Sequence, residues 1–186
     1  TSFTNQLGHR ITYAYGPTGA LSSLVDEIGF QTSYELDAAG NTLSATDALG
    51  NETRYTYDDH GNQISVTDDQ GNVTTTRFGR HGKVLQEVNP LGHTLSYSYD
   101  ATGNKLTESS QQTIDNGVET ITTTWTYDSN GRVLSITDAL GGVTRFEYDG
   151  RGFQTASIDA NGNRTEYTNN DRGLLLSTHF PDGNNT

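Results

Sequence analysis

One spacing constrains this chain more than any other property. Glycine recurs at Gly8, Gly29, Gly50, Gly71 and Gly92, then at Gly141, Gly162 and Gly183. A second series runs Gly19, Gly40, Gly61, Gly82 and Gly103, then Gly131, Gly152 and Gly173. Each step is 21 residues apart from one interruption, across which the second series advances one period plus an insertion of seven, from Gly103 to Gly131, and the first advances two periods plus seven, from Gly92 to Gly141. A fixed period of this length marks a repeat architecture in which each copy is one supersecondary unit. The spacing predicts eight copies in a single array over residues 1–186.

The copy from Gly50 to Asp68, GNETRYTYDDHGNQISVTD, can be parsed by strand and turn chemistry. Thr53 to Tyr57 alternates Tyr55 and Tyr57 against Arg54 and Thr56, and Gln63 to Thr67 alternates Ile64 and Val66 against Ser65, the period of two that strands show. Between them Asp58-Asp59-His60-Gly61 reads as a turn: a leading Asp accepts a hydrogen bond from the backbone two residues on, and the closing Gly supplies positive φ at no steric cost. Asp68-Asp69-Gln70-Gly71 repeats that chemistry. Each unit is therefore predicted to be a β-hairpin joined to the next by another hairpin turn. The second-series turns are expected at Asp37–Gly40, Asp58–Gly61, Asp100–Gly103, Asp128–Gly131 and Asp149–Gly152.

Other copies keep the same side chains in phase. The first inward strand position holds Tyr13, Tyr34, Tyr55, Tyr97, Trp125, Phe146 and Tyr167, with Thr76 departing. Two residues on come Tyr15, Leu36, Tyr57, Phe78, Tyr99, Tyr127 and Tyr148, with Asn169 the exception. The second strand offers Leu43, Ile64, Leu85, Leu106, Leu134 and Leu176, broken by Ser22 and Thr155. One face of a continuous antiparallel meander should thus carry an aromatic and aliphatic ladder of cross-strand pairs. A lone two-stranded hairpin is marginal in water, so the units must stack.

Composition agrees with an ordered chain that is thin in core. Hydrophobic residues make up only 31% of the chain, but ten Tyr, one Trp, twenty-one Gly and twenty-nine Thr suit pleated strands and tight turns. Eleven basic against 23 acidic residues leave a net charge of −12, which argues against nucleic acid or an anionic membrane surface as partner. Without Cys there is neither disulfide nor thiolate metal site. The longest aliphatic run, Leu174-Leu175-Leu176, is far below the roughly 20 residues of a membrane-spanning helix. No charged-then-apolar leader opens the sequence and Met is absent even at position 1, so the chain is expected to be a piece of something longer.

The strings YTYDDHGNQISVTD, YSYDATGNKLTES, WTYDSNGRVLSITD and FEYDGRGFQTASID resemble the tyrosine-aspartate repeats of the RHS family, which includes RHS polymorphic toxins, shell subunits of insecticidal toxin complexes, and teneurins. By that resemblance Tyr57-Asp58, Tyr99-Asp100, Tyr127-Asp128 and Tyr148-Asp149 are the signature pairs, and Gly61, Gly103, Gly131 and Gly152 close their turns. Gly16, Gly79 and Asn170 stand where the motif has Asp. The resemblance implies an all-β segment of a hollow shell whose partners are the adjoining repeats and an enclosed C-terminal toxin of the same polypeptide. It also implies a bacterial protein that is secreted or delivered by a secretion system, with no catalysis and no cofactor. The teneurin branch leaves open a cell-surface adhesion or glycan-binding module. No Asp-Pro dipeptide occurs, so the DPxG self-cleaving core of the toxin shells has no match, nor do a toxin domain or a spike-docking domain. Sixteen strands at ~4.8 Å span about 77 Å, a closed diameter near 25 Å. That is too small for a folded cargo of roughly 30 Å.

Candidate chemistry reads as turn chemistry. The carboxylate pairs Asp58-Asp59 and Asp68-Asp69 invite a calcium or acid/base reading, yet equivalent Asp residues of successive hairpins lie about 10 Å apart, whereas calcium gathers several oxygens at ~2.3–2.6 Å. His9, His60, His81, His93 and His179 are scattered along both rims, and no G-x-S-x-G occurs. The aromatic ladder could stack sugars, but it is also the packing face of a sheet. Asn51, Asn72 and Asn163 head glycosylation sequons, and Asn-Gly turn chemistry accounts for most Asn of this kind. The insertion, nearly balanced about Asp115-Asn116-Gly117, should lengthen one hairpin around residues 108–127. Terminal strands with unpaired backbone groups should let the chain associate edge to edge.

Overall fold

A computed structural model describes residues 1–6, 9–17, 19–115 and 117–181. The predicted turn glycines Gly8 and Gly183, and Asn116 of the predicted insertion, lie outside the described residues. The fold is all-β, and the only helical residues among those described form a single 3-10 turn at Arg80–Gly82. Two compact units divide the chain.

The first unit, Thr1–His93, holds nine strands. They are β1 (Ser2–Thr4), β2 (Arg10–Tyr15), β3 (Leu21–Val25), β4 (Gln31–Leu36), β5 (Thr42–Thr46), β6 (Glu52–Tyr57), β7 (Gln63–Thr67), β8 (Val73–Phe78) and β9 (Val84–Val88). The second, Thr94–Thr186, holds β10 (Thr94–Tyr99), β11 (Lys105–Ile114), β12 (Gly117–Tyr127), β13 (Val133–Thr137), β14 (Val143–Tyr148), β15 (Gln154–Ile158), β16 (Arg164–Asn169) and β17 (Leu175–His179). Within each unit every strand pairs antiparallel with its neighbours in sequence, the meander that short turn-bounded strands predict.

The register holds a feature that periodicity could not reveal. In β6–β7 the pairs are Tyr55 with Val66, Thr56 with Ser65 and Tyr57 with Gln63, so Ile64 is an extra residue in a β-bulge. The same slip recurs at Ser22, Leu43, Leu85, Leu106, Leu134, Thr155 and Leu176. The aliphatic set expected to face the aromatics across the ladder therefore consists of bulge residues without a direct partner. Leu43 and Leu134 stay 40% exposed and Leu176 62%. The aromatics instead face Leu24 (from Tyr13), Ala45 (from Tyr34), Val66 (from Tyr55) and Ile136 (from Trp125).

The core is as thin as the composition suggests. Ala156 is the only buried apolar residue among those described, with Ser44 and Thr178 the buried polar ones. Ala156 lies between Glu147 and Glu166 in the ladder. The Arg164 guanidinium joins those two glutamates, donating to both Glu147 carboxylate oxygens at 2.7 Å and to Glu166 at 3.0 Å. A methyl group is thereby shielded by long charged side chains, which cover apolar surface with their stems.

Candidate functional site

The residues singled out from the sequence gather at one structural corner, repeated from hairpin to hairpin. At Asp58 the carboxylate Oδ1 accepts the backbone N–H groups of His60 and Asn62, each at 2.9 Å, while Oδ2 accepts the Asn62 side-chain amide at 2.9 Å. Asp58 N–H donates to the Asn62 carbonyl, and Gly61 N–H donates to the Asp58 carbonyl. Gly61 takes φ 80°, a left-handed conformation that costs an L side chain roughly 1–2 kcal/mol. The loop is thus five residues long, one more than the Asp-to-Gly quartet read from sequence.

Asp100 repeats the arrangement with Asn104, and the Thr102 hydroxyl adds a bond to its Oδ1 at 2.8 Å. At Asp128 the partner is Arg132, whose Nε–H donates to Oδ2 at 2.6 Å. Asp149 accepts Arg151 and Phe153 N–H in the same way. Gly103, Gly131 and Gly152 sit at φ 91°, 79° and 96°. Such bonds favour the ionised carboxylate. The Asn62 and Asn41 side-chain amides hold Asp58 and Asp37 below the usual carboxylate range, and Asn104 with Thr102 lowers Asp100 to about 2.

The copies without a motif Asp divide into three cases. Asn170 keeps the arrangement, its Oδ1 accepting Arg172 and Leu174 N–H at 2.9 and 3.0 Å. Gly16 keeps both backbone closures, its N–H donating to the Ala20 carbonyl and Gly19 N–H donating to the Gly16 carbonyl, but has no carboxylate to add. Gly79 departs: its loop forms the 3-10 turn, with His81 at φ 61°, and a side chain at position 79 would meet the Leu85 Cδ1 at 2.9 Å.

The tyrosines before Asp58, Asp128 and Asp149 do a different task, which sequence reasoning missed. Each hydroxyl donates to the carbonyl of the first residue of the preceding strand: Tyr57 to Thr42 at 2.8 Å, Tyr127 to Lys105 at 2.7 Å and Tyr148 to Val133 at 2.9 Å. Asn169, the exception in the aromatic series, makes the equivalent bond through Nδ2 to Gln154 at 2.9 Å. Leu36 and Phe78 have no hydroxyl to offer. The Tyr-Asp pair therefore faces two ways: Tyr clasps the repeat behind, and Asp closes the turn ahead.

The supposed metal and catalytic groups do not converge. Asp58 commits both carboxylate oxygens to its own loop, whereas Asp59 is exposed. His9 pairs with Glu27 at 2.8 Å, and His60 and His93 serve their turns through backbone N–H. Among the described residues no three His, Asp or Glu side chains are placed to hold a metal ion. Asn51, Asn72 and Asn163 each follow a turn Gly rather than precede it, and each donates its side-chain amide to the loop Asp at 2.7–2.8 Å. Gly-Asn, not Asn-Gly, is the operative pair. On the aromatic face Lys105 stands 4.3 Å from the Trp125 ring centroid and bonds Glu108 at 2.6 Å, while Arg132 lies 4.9 Å from Tyr148. Both cations are within cation–π range of their rings.

Comparison with known proteins gives a consistent picture. The RHS Repeat family model matches residues 37–75 and 127–164. No curated protein matches the chain. Among solved structures, TcdB2-TccC3 without its hypervariable C-terminal region aligns with 95% of this chain and 13% of its own length, at TM-score 0.56 and 18% identity. A Photorhabdus luminescens Tc holotoxin pore with a mutated TccC3 aligns with 94% of this chain and 12% of its own, at TM-score 0.52 and 19% identity. The chain thus spans about an eighth of the length of the structures it matches. Among the described residues no helix is long and apolar enough to cross a membrane.

Proposed function

Because the chain carries RHS repeats, we propose that it is a structural, non-catalytic stretch of wall in an RHS shell that contains the C-terminal toxin of a secreted or injected bacterial protein. In this reading residues 1–186 act as one array, and their partners are adjoining repeats and the enclosed segment. The observation that carries the reading is the two-way corner at Tyr57-Asp58, Tyr127-Asp128 and Tyr148-Asp149, with Tyr99-Asp100 sharing the loop closure. Side chains elsewhere free for chemistry are here spent on holding strand to strand. A surface whose polar groups close its own loops suits containment more than turnover.

Limited proteolysis of the full-length protein tests this. The segment following the repeats should resist protease while the repeats are folded, and should be cut once they are opened with denaturant. Equal cutting in both states refutes containment. Binding of the chain to a glycan array, with a change in Trp125 fluorescence, would favour the adhesion reading instead.

A further inference from the structure

The lengthened hairpin leaves a strand edge inside the chain. β12 pairs with β11 from Gly117 to Thr124, but β13 meets β12 only from Thr124 to Tyr127. Over residues 117–123 no described strand pairs with the outer side of β12. On that side Asp128 N–H donates to the Arg132 carbonyl, and backbone groups alternate sides along an antiparallel strand, so Thr126 and Thr124 face β13. Thr122, Thr120 and Val118 therefore turn their N–H and C=O groups outward with them. Neither Pro nor Lys guards this edge, and Glu119 is the one charged residue in the stretch. Val118 is 64% exposed and Ile121 44%.

We propose that this edge pairs with the same edge of a second copy of the chain, as an isologous antiparallel dimer with Thr120 on the two-fold axis. The open stretch is centred on Thr120, so this register alone uses all of it without running into the Thr124–Thr137 pair. It sets Val118 opposite the partner copy's Thr122 and Thr120 opposite itself, matching β-branched residues on one face. On the other face Glu119 meets Ile121, so the acidic side chain never faces its own copy. A C2 interface requires this self-complementarity. Each copy carries a net charge of −12, so salt should strengthen association by screening the mutual repulsion. The interface is independent of containment: protease protection can fail or hold without changing it.

Sedimentation velocity on the chain should show a monomer–dimer equilibrium that tightens with salt. Thr120→Pro removes an outward N–H that β11 does not use, so it should lower the association constant by at least about tenfold with the β circular dichroism kept. The chain lacks Cys, which makes Thr120→Cys a clean second probe. Residues opposite each other in such a pair lie about 5.5 Å apart between Cα atoms, within disulfide reach. Thr120→Cys should therefore form a reducible dimer under mild oxidation, and Thr113→Cys, one strand back, should not. A folded chain that stays monomeric at every concentration and salt overturns the proposal. So does a dimer that survives Thr120→Pro, or equal cross-linking at 113 and 120. Cross-linking of Thr120→Cys to another segment of the full-length protein would assign the edge to an internal partner, and equally overturn it.

Discussion

Removing single hydroxyls tests whether the signature tyrosines tie one repeat to the next. Tyr127→Phe and Tyr148→Phe keep the rings and delete only the donors to the Lys105 and Val133 carbonyls, at 2.7 and 2.9 Å. A neutral intramolecular hydrogen bond contributes about 0.5–1.5 kcal/mol net. Each bond has its own donor and acceptor, and their sum is about 1–3 kcal/mol for the double variant. Urea unfolding followed by Trp125 fluorescence reads the unit that holds both bonds. With a slope on the order of 1–3 kcal/mol/M, the midpoint should fall by roughly 1 M at unchanged slope. The parent chain is the reference, and it shares every other residue of the unit that Trp125 reports. If the double variant unfolds at the same urea concentration as the parent, the hydroxyls are not ties and the argument from the Tyr-Asp pair fails.

Other consequences follow from the loops. Gly61→Ala has room, its nearest neighbour being the Asn41 Oδ1 at 4.0 Å, so its loss of about 1–2 kcal/mol should come from φ 80° alone; a melting temperature equal to the parent's would contradict this. Asp59→Ala should be nearly silent in the same measurement, since Asp59 is exposed and closes nothing. Folding lowers the carboxyl pKa of Asp37, Asp58, Asp100 and Asp149. The stability they add is therefore complete above their unfolded value near ~3.9. It is lost as pH falls through the folded values, about 2 for Asp100. Asp100→Asn, which Asn170 shows can accept the same backbone bonds, should flatten that acid-side loss in urea titrations between pH 4 and 2; an unchanged pH slope would sink the assignment.

Period and turn chemistry made most of the architecture legible. The 21-residue glycine steps located the hairpins, and Asp58 with Gly61 predicted the loop bond that His60 N–H makes. The bulge at Ile64 was not legible, because a one-residue slip leaves the alternation of Ile64 and Val66 intact while moving the cross-strand partner. Asn62 was visible, since Asn follows the turn Gly again at Asn41 and Asn104. It drew no role of its own, because Asn-Gly was taken as the operative pair for Asn51, Asn72 and Asn163, in the wrong order. The tyrosine clasp joins residues 15 apart through an atom that hydrophobic patterning treats as part of an apolar ring. No periodicity argument reaches it, although the replacement of Tyr by Asn at position 169 held the clue.

Every clasp has the same polarity: the donor belongs to the later strand and the acceptor to the earlier one, 15 residues back for Tyr57 and Tyr148 and 22 for Tyr127. On a ribosome, where the chain emerges from its N-terminus, each strand leaving the exit tunnel would find its carbonyl target already synthesised and already paired. No strand need wait for a distant partner, and loop closure stays short at every step. A meander of this kind is suited to growth row by row during translation, with each new hairpin locking the one before it.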